Sequence, residues 1–249
     1  MTPDNKDKMI LITGASGGIG CELVNNMLND GYTNIICQYR TRSTQLEEAV
    51  TSHGLNFSKM CQLADLVHED DVKELRTWVE KFPIPLWAIV NLAGSSSNAM
   101  SWKMSIDCFE NVIEANLTST FLTCREFIPG MRERQGGRII NTSSVIASSG
   151  AVGASHYCAA KGAIESYTRA VALELAPKNI TVNAMALGYF NKGLIEHVDK
   201  ETQAKVVNKT PLNRLGHVKE IAGLLRFLIS DDSAFMTGQI VHMNGGFHL

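Results

Sequence analysis

The sequence carries almost no net charge and has no long hydrophobic run, and these two absences exclude several classes of protein. Its 249 residues have a formal net charge of −2, so a protein that mainly binds nucleic acid is not expected. No apolar run is long enough to span a bilayer, so no membrane partner is expected either. Residues 1–8 are polar and lack the apolar core of a signal peptide. A cytoplasmic protein is the resulting expectation.

The six cysteines are scattered along the chain, and none of them forms a Cys-x-x-Cys pair. A zinc knuckle or a dithiol redox motif is therefore not expected. The histidines do not cluster in the sequence as metal ligands would. The sequence predicts no metal site, and its thiols are expected to be reduced, as they are in the cytosol.

Short apolar runs alternate with longer amphipathic segments along the whole chain. The predicted strands are Met9–Thr13, Ile35–Tyr39, Leu86–Val90, Arg138–Thr142, Ile180–Ala184 and Gln239–Met243. The predicted helices lie near 18–30, 43–53, 69–81, 106–133, 155–176, 195–207 and 217–230. Near-continuous apolar strands separated by helices are typical of a parallel sheet covered on both faces. We expect an α/β fold with a doubly wound, Rossmann-type sheet of about seven strands, forming a single domain over residues 1–249.

A glycine-rich segment follows the first predicted strand directly and opens the first predicted helix. Gly14, Gly18 and Gly20 mark this loop, and Ser16, Gly17 and Ile19 complete it. Glycines there let the backbone turn tightly and approach a pyrophosphate, while the helix points its free N–H groups at the phosphates. This position in a strand–turn–helix unit predicts that the loop binds a dinucleotide.

The end of the second predicted strand indicates which dinucleotide is bound. An NAD site usually has an acidic residue there for the ribose 2′-hydroxyl, and this chain has none. It has instead Tyr39, Arg40, Thr41 and Arg42. Guanidinium and hydroxyl groups suit a 2′-phosphate, so the sequence favours NADP(H). A solvated basic loop is the alternative interpretation.

Tyr157 and Lys161 are spaced so that one helix face carries both side chains. A Tyr/Lys pair at this spacing is common by chance, so other motifs of the sequence must show whether the pair is functional. Ser144 follows a predicted strand, Asn116 lies within the preceding predicted helix, and residues 91–94 close the strand before that helix. Polar groups thus follow several neighbouring strands, where open α/β sheets bind their ligands.

With these motifs the chain resembles the short-chain dehydrogenase/reductase family, and its pattern is nearest to that of the 3-oxoacyl-[acyl-carrier-protein] reductases. The resemblance covers almost the whole length, in the family's order and spacing. The matching elements are Thr13–Gly20, Asn91–Gly94, Asn116, Ser144, Tyr157, Lys161, Arg214–Gly216, Thr237–Gln239 and Gly245–Gly246.

The resemblance implies a catalytic tetrad of Asn116, Ser144, Tyr157 and Lys161. Tyr157 would be the acid, and the Lys161 ammonium would draw the phenol pKa down toward working pH. Ser144 would hold the substrate oxygen, and Asn116 would anchor a water that leads to Lys161. The implied cofactor contacts beyond the glycine loop and residues 39–42 are Asp65, Leu66, Asn91, Ala93, Gly94, Tyr157, Lys161, Gly188 and Phe190.

The sequence departs from the family pattern after the strand Ile180–Ala184. Leu187 stands where the family usually has proline, and Lys192 falls near an expected threonine that holds the carboxamide. We expect a less rigid loop here, and the segment 188–210 reads as a mobile lid. Together with 95–105 and 146–155 it is expected to select the substrate.

The expected activity is NADPH-dependent reduction of a 3-oxoacyl thioester to the 3-hydroxyacyl thioester by a homotetramer. The second hypothesis is an alcohol, sugar or hydroxysteroid oxidoreductase of the same family. A non-catalytic dinucleotide-sensing scaffold is the third. The substrate would be a small carbonyl compound that an acyl carrier protein could present. Lys178 matches one carrier-contacting basic residue of the family, and Gln135, beside Arg134, occupies the position of another.

Overall fold

The computed structural model describes residues 6–249, which form one parallel sheet covered by helices on both faces. The sheet has seven strands in the order β3-β2-β1-β4-β5-β6-β7. The strands are β1 (Met9–Ile12), β2 (Ile35–Tyr39), β3 (Cys61–Leu63), β4 (Leu86–Asn91), β5 (Gly137–Ser144), β6 (Ile180–Leu187) and β7 (Ile240–Met243). This order confirms the predicted doubly wound α/β class.

Within residues 6–249, ten α-helices connect the strands and cover the sheet. They are α1 (Gly18–Asn29), α2 (Thr44–Thr51), α3 (Phe57–Met60), α4 (Glu69–Val79), α5 (Ile106–Ile113), α6 (Ser119–Arg134), α7 (Ile146–Ser149), α8 (Ser155–Leu175), α9 (Lys200–Lys209) and α10 (Val218–Ile229). Alternate residues of a strand point to opposite faces of the sheet. Ile10 and Ile12 accordingly pack against α1 and α10, whereas Met9 and Leu11 pack against α4, α6 and α8.

The sequence prediction and the structure differ in several elements, among them the short helices α3 and α7, which were not predicted. The three-residue strand β3 was not predicted, because so short a segment shows no clear periodicity. The helix predicted over 106–133 is divided by a π-helical segment, Glu114–Thr118. The last two predicted helices begin later, and a 3₁₀ segment, Gly193–His197, precedes α9.

The strand order reverses beside β1, which lies between β2 and β4. At such a switch point the loops beyond the carboxyl ends of the strands diverge and leave a crevice. The glycine loop follows β1 there, and the segment after β4 lies opposite it. Among residues 6–249, no helix is long and apolar enough to cross a membrane.

Candidate active site

A cavity of about 820 Å³ opens at the carboxyl ends of the strands. Its walls come from the loops after β1, β2, β3, β4, β5 and β6. All three segments predicted to select the substrate, 95–105, 146–155 and 188–210, contribute residues to it. The topology therefore brings the predicted dinucleotide loop and the predicted tetrad to one place.

The glycine loop is packed so closely that side chains would not fit at two of its positions. A Cβ atom on Gly14, whose φ is +64°, would lie 2.6 Å from the Ala93 Cα atom. A Cβ atom on Gly20 would lie 2.8 Å from the Ala15 Cα atom. The N-cap Gly17 of α1 offers no side chain to its first N–H groups. These groups and the positive end of the helix are the features that bind a phosphate.

Gln38, a residue that the sequence prediction missed, holds the glycine loop in place. It is buried in β2, where its Oε1 atom accepts the Gly14 N–H at 2.8 Å. Its Nε2 atom donates to the Ala64 carbonyl oxygen at 2.6 Å. The signal in the sequence is a single polar residue within an apolar strand, since a buried amide needs partners.

The structure brings only part of the predicted 2′-phosphate cluster to the cavity. Arg40 and Thr41 line it, whereas Tyr39 and Arg42 do not. The Tyr39 ring packs against Phe57, with 5.7 Å between the ring centroids. Arg42 forms a salt bridge of 2.9 Å with Glu47 and stacks on the Phe57 ring. Among the described residues, no ion pair engages Arg40, so this guanidinium is available to a phosphate.

The structure also brings only some of the predicted adenosine contacts to the cavity. Asp65, Leu66, Ala93 and Gly94 line the cavity. Asn91 does not, because its Nδ2 atom donates to the Asn141 Oδ1 atom at 2.8 Å inside the protein. Its part in a cofactor site would be indirect, through the position of the end of β4.

All four members of the predicted tetrad line the cavity. Asn116 lies in the π-helical segment between α5 and α6, and Ser144 is the last residue of β5. Tyr157 and Lys161 lie in the first two turns of α8. Three separate elements thus converge on one wall, which the sequence spacing alone did not show.

The Asn116 side chain is fixed by its amide group and leaves its oxygen unpaired. Its Nδ2 atom donates to the Ser95 and Val112 carbonyl oxygens at 2.7 and 2.8 Å. Its buried Oδ1 atom has no hydrogen-bond partner among the described residues. This oxygen faces Gly94, where a Cβ atom would overlap it and would lie 3.6 Å from the Lys161 Nζ atom. A buried acceptor beside a buried amine suits a bridging water or hydroxyl.

Burial controls the ionisation of Lys161 and Tyr157. Lys161 is 3% exposed, and its Nζ atom donates to the Thr142 carbonyl oxygen at 2.8 Å. Burial lowers its pKa from 10.5 to about 7. Burial also raises the pKa of Tyr157 to about 12, although a hydrogen bond with Ser144 lowers it. Lys161 is not among the groups that shift the Tyr157 pKa, so the structure does not show the lowering expected from it. Burial dominates, and the phenol keeps its proton at neutral pH.

The strand β6 extends further than the sequence predicted, from Ile180 to Leu187. Leu187 is the last residue of β6, because leucine retains the N–H that proline lacks and can continue the strand. A Cβ atom on Gly188 would lie 2.6 Å from the Asn244 Cα atom, so the chain must turn closely there. Gly188, Phe190 and Lys192 then line the cavity, as do the 3₁₀ segment and parts of α9.

His156 points away from the cavity, as the sequence prediction expected. It is fully buried, and its Nε2 atom lies 2.9 Å from the Ser97 hydroxyl oxygen. Within residues 6–249, no three His, Cys, Asp or Glu side chains are grouped to bind a metal ion.

The predicted carrier-protein contacts lie at the opposite edge of the sheet from the cavity. Arg134 and Gln135 precede β5, and Lys178 precedes β6. These segments are neighbours, since Gly137 pairs with Ile180. Residues that precede parallel strands meet at the amino-terminal edge of the sheet. The patch therefore does not lie beside the cavity entrance of its own chain, which differs from the prediction.

The residues of the cavity fit a nicotinamide dinucleotide. The glycine loop forms a cradle that a Cβ atom would fill, and Arg40, which forms no ion pair within residues 6–249, lines the same cavity. The orphaned Asn116 Oδ1 atom and the Lys161 amine offer hydrogen bonds deeper in the cavity. The cavity therefore combines a site that suits a redox cofactor with an acidic group, the Tyr157 phenol, that is held by hydrogen bonding.

Comparisons with known proteins agree with this geometry. The family model described as Enoyl-(Acyl carrier protein) reductase matches residues 14–248. The 3-oxoacyl-[acyl-carrier-protein] reductase of Rickettsia felis is 33% identical over 245 residues, which cover 98% of each chain. The Nodulation protein G of Rhizobium meliloti is 33% identical over 95% of each chain. The 3-oxoacyl-[acyl-carrier-protein] reductase of Aquifex aeolicus is 30% identical over 96% of each chain. The chain belongs to the short-chain dehydrogenase/reductase family of oxidoreductases.

Proposed function

We propose that the protein reduces 3-oxoacyl thioesters to 3-hydroxyacyl thioesters with NADPH, with Tyr157 as the catalytic acid. The observation that carries this proposal is the convergence of Asn116, Ser144, Tyr157 and Lys161 on the cavity that the glycine loop also lines. Such a cavity would place a hydride donor bound at the glycine loop and the Tyr157 proton donor near one carbonyl group.

The cofactor, when bound, would supply the hydride to the carbonyl carbon. Tyr157 gives its proton to the carbonyl oxygen, and a phenol that stays protonated at neutral pH is ready for this step. The Ser144 hydroxyl hydrogen-bonds to Tyr157 and holds the same oxygen. Lys161, with a pKa of about 7, gains and loses a proton near neutral pH, so it can return a proton to Tyr157. The Asn116 Oδ1 atom orients a water on the path to Lys161.

NADP(H) is the proposed cofactor because Arg40 and Thr41 lie at the end of β2 on the cavity wall. A guanidinium group without an ionic partner among the described residues favours a 2′-phosphate over a 2′-hydroxyl. Arg42 contributes less, because Glu47 already neutralises it.

An acyl thioester is the proposed substrate for two reasons. The curated relatives from Rickettsia felis and Aquifex aeolicus are named as reductases of 3-oxoacyl groups on acyl carrier protein. Val152 and Leu194, which are 84% and 49% exposed, line the cavity and offer apolar contacts to an acyl chain.

The proposed assembly is a homotetramer in the cytoplasm. Leu173 on α8 is 80% exposed, and Phe121 on α6 is 41% exposed and packs edge-on against Tyr167. Exposed apolar side chains on two neighbouring helices support a helix-pairing interface. A monomeric mass in solution would contradict this assembly.

The test is NADPH oxidation with acetoacetyl-coenzyme A, run beside a Tyr157→Phe variant and repeated with NADH. Activity that is lost in the variant and weak with NADH supports the acid, the cofactor and the substrate class together. Activity only with alcohols, sugars or hydroxysteroids would assign the protein to another branch of the family. Tight NADPH binding without turnover of any carbonyl compound would indicate a non-catalytic dinucleotide sensor.

A further inference from the structure

A carboxylate of the lid lies directly against the glycine loop. The Glu196 Oε2 atom is 2.6 Å from the point where a Cβ atom on Gly18 would stand. The Gly193 nitrogen is 2.8 Å from the same point. Gly18 is the first residue of α1, so the carboxylate lies at the positive end of that helix. This is also the end of the helix at which the diphosphate of a dinucleotide would bind.

The lid itself holds the carboxylate in this position. The Glu196 Oε2 atom accepts the Gly193 N–H at 2.7 Å. Its Oε1 atom lies 3.5 Å from the Lys192 Nζ atom. Both charged side chains remain about two-fifths exposed, at 39% for Lys192 and 41% for Glu196. A backbone N–H and an ammonium group are also the donors that bind phosphate oxygens.

We propose that Glu196 stands in the place of the cofactor diphosphate, and that Lys192 and the Gly193 N–H transfer from Glu196 to the diphosphate when the dinucleotide binds. The inference rests on the proposed function, since it requires a dinucleotide on the glycine loop. A carboxylate and a diphosphate repel each other at this distance, so the lid must withdraw Glu196. Lys192, which falls near the position of the family's usual threonine, then becomes a cofactor-binding residue.

The two charges should act on cofactor affinity in opposite directions. Replacing Glu196 with glutamine removes the repulsion but keeps an oxygen that can accept the Gly193 N–H. Because the pair is partly exposed, we expect NADPH to bind up to about fivefold more tightly to Glu196→Gln, as for surface charge interactions. We expect Lys192→Gln to bind NADPH more weakly by a similar factor. Both effects should shrink as salt is added.

The experiment measures the Kd of NADPH by fluorescence titration for the unmodified protein and the two variants, at low and high salt. Adenosine 2′-monophosphate, which has no diphosphate, is titrated in parallel. Glu201→Gln is the control, because Glu201 lies on α9, is 80% exposed and, among the described residues, forms an ion pair only with Lys205. Thermal unfolding of each variant verifies that it is folded.

The expected result is tighter NADPH binding by Glu196→Gln, weaker binding by Lys192→Gln, and unchanged binding of adenosine 2′-monophosphate. NADPH affinity that is equal in Glu196→Gln and the unmodified protein would overturn the inference and leave the proposed function intact. An equal gain for adenosine 2′-monophosphate or in Glu201→Gln would also overturn it, because the effect would then be a general change in charge. Failure of the unmodified protein to bind NADPH would reject the proposed function itself.

Discussion

The burial of Lys161, a member of the proposed tetrad, lowers the stability of the protein, and replacing it with methionine should stabilise the protein. The Lys161 pKa falls from 10.5 to about 7 on folding, while the side chain is 3% exposed. The unfolded chain therefore binds the extra proton between these two values. At pH 7 this difference opposes folding by about 4 kcal/mol, since each pKa unit is worth about 1.4 kcal/mol.

Methionine removes the buried charge but also removes the hydrogen bond to the Thr142 carbonyl oxygen. That bond contributes about 1 kcal/mol, so the net gain in the free energy of unfolding at pH 7 is about 3 kcal/mol. The sign reverses the usual effect of a core substitution. A buried amine that is proposed to act in catalysis lowers stability in return for the proposed function.

The assay is urea unfolding of the parent and of Lys161→Met at pH 7 and pH 9. The folded pKa is depressed, so the destabilisation is complete below about pH 7 and disappears as the pH rises toward the unfolded value of 10.5. The advantage of the variant should shrink by about 2 kcal/mol between the two pH values. The exposed Lys219 provides the control, Lys219→Met. An advantage of Lys161→Met that does not change with pH would refute the reasoning.

Three further predictions concern activity. Tyr157→Phe should lower kcat by about 100-fold or more, because the proton donor is lost, while the Kd of NADPH measured by fluorescence stays unchanged. Gly94→Ala should lower kcat by about 100-fold, because its Cβ atom would displace Asn116; a steady-state assay with kcat near the parent value would refute this. Arg40→Ala should raise the KM for NADPH about tenfold and leave that for NADH unchanged, whereas Arg42→Ala should have a much smaller effect.

The sequence predicted the order and class of most strands and helices because their hydrophobic periods are local properties. The strands β1 and β2 were located within a residue, and the glycine loop between β1 and α1 was identified with them. The three-residue strand β3 was missed because only its pairing with β2 defines it. The π-helical segment at Asn116 was missed because an apolar pattern does not distinguish one extra residue in a helical turn.

The structure places some of the predicted site residues at the cavity, but not all of them. The tetrad positions follow from the resemblance, and the structure brings all four to one cavity. Tyr39 and Arg42 were predicted to bind the cofactor from their position at the end of β2, and Asn91 from the resemblance. The structure does not bring these three side chains to the cavity. Asn91 donates a hydrogen bond to Asn141, which is distant in the sequence, and Arg42 forms a salt bridge with Glu47, which is nearby. These partners determine where the two side chains point.

By itself the sequence determined the chemical groups, their order along the chain and the strand–turn–helix unit that carries the glycine loop. Only the tertiary structure decided which groups meet, because β4, β5 and α8 converge through long-range packing. It also decided the ionisation of Tyr157 and Lys161, since burial depends on the whole surrounding fold. The contact of Glu196 with Gly18 has the same origin, as it joins a helix near the start of the chain to a lid 178 residues later.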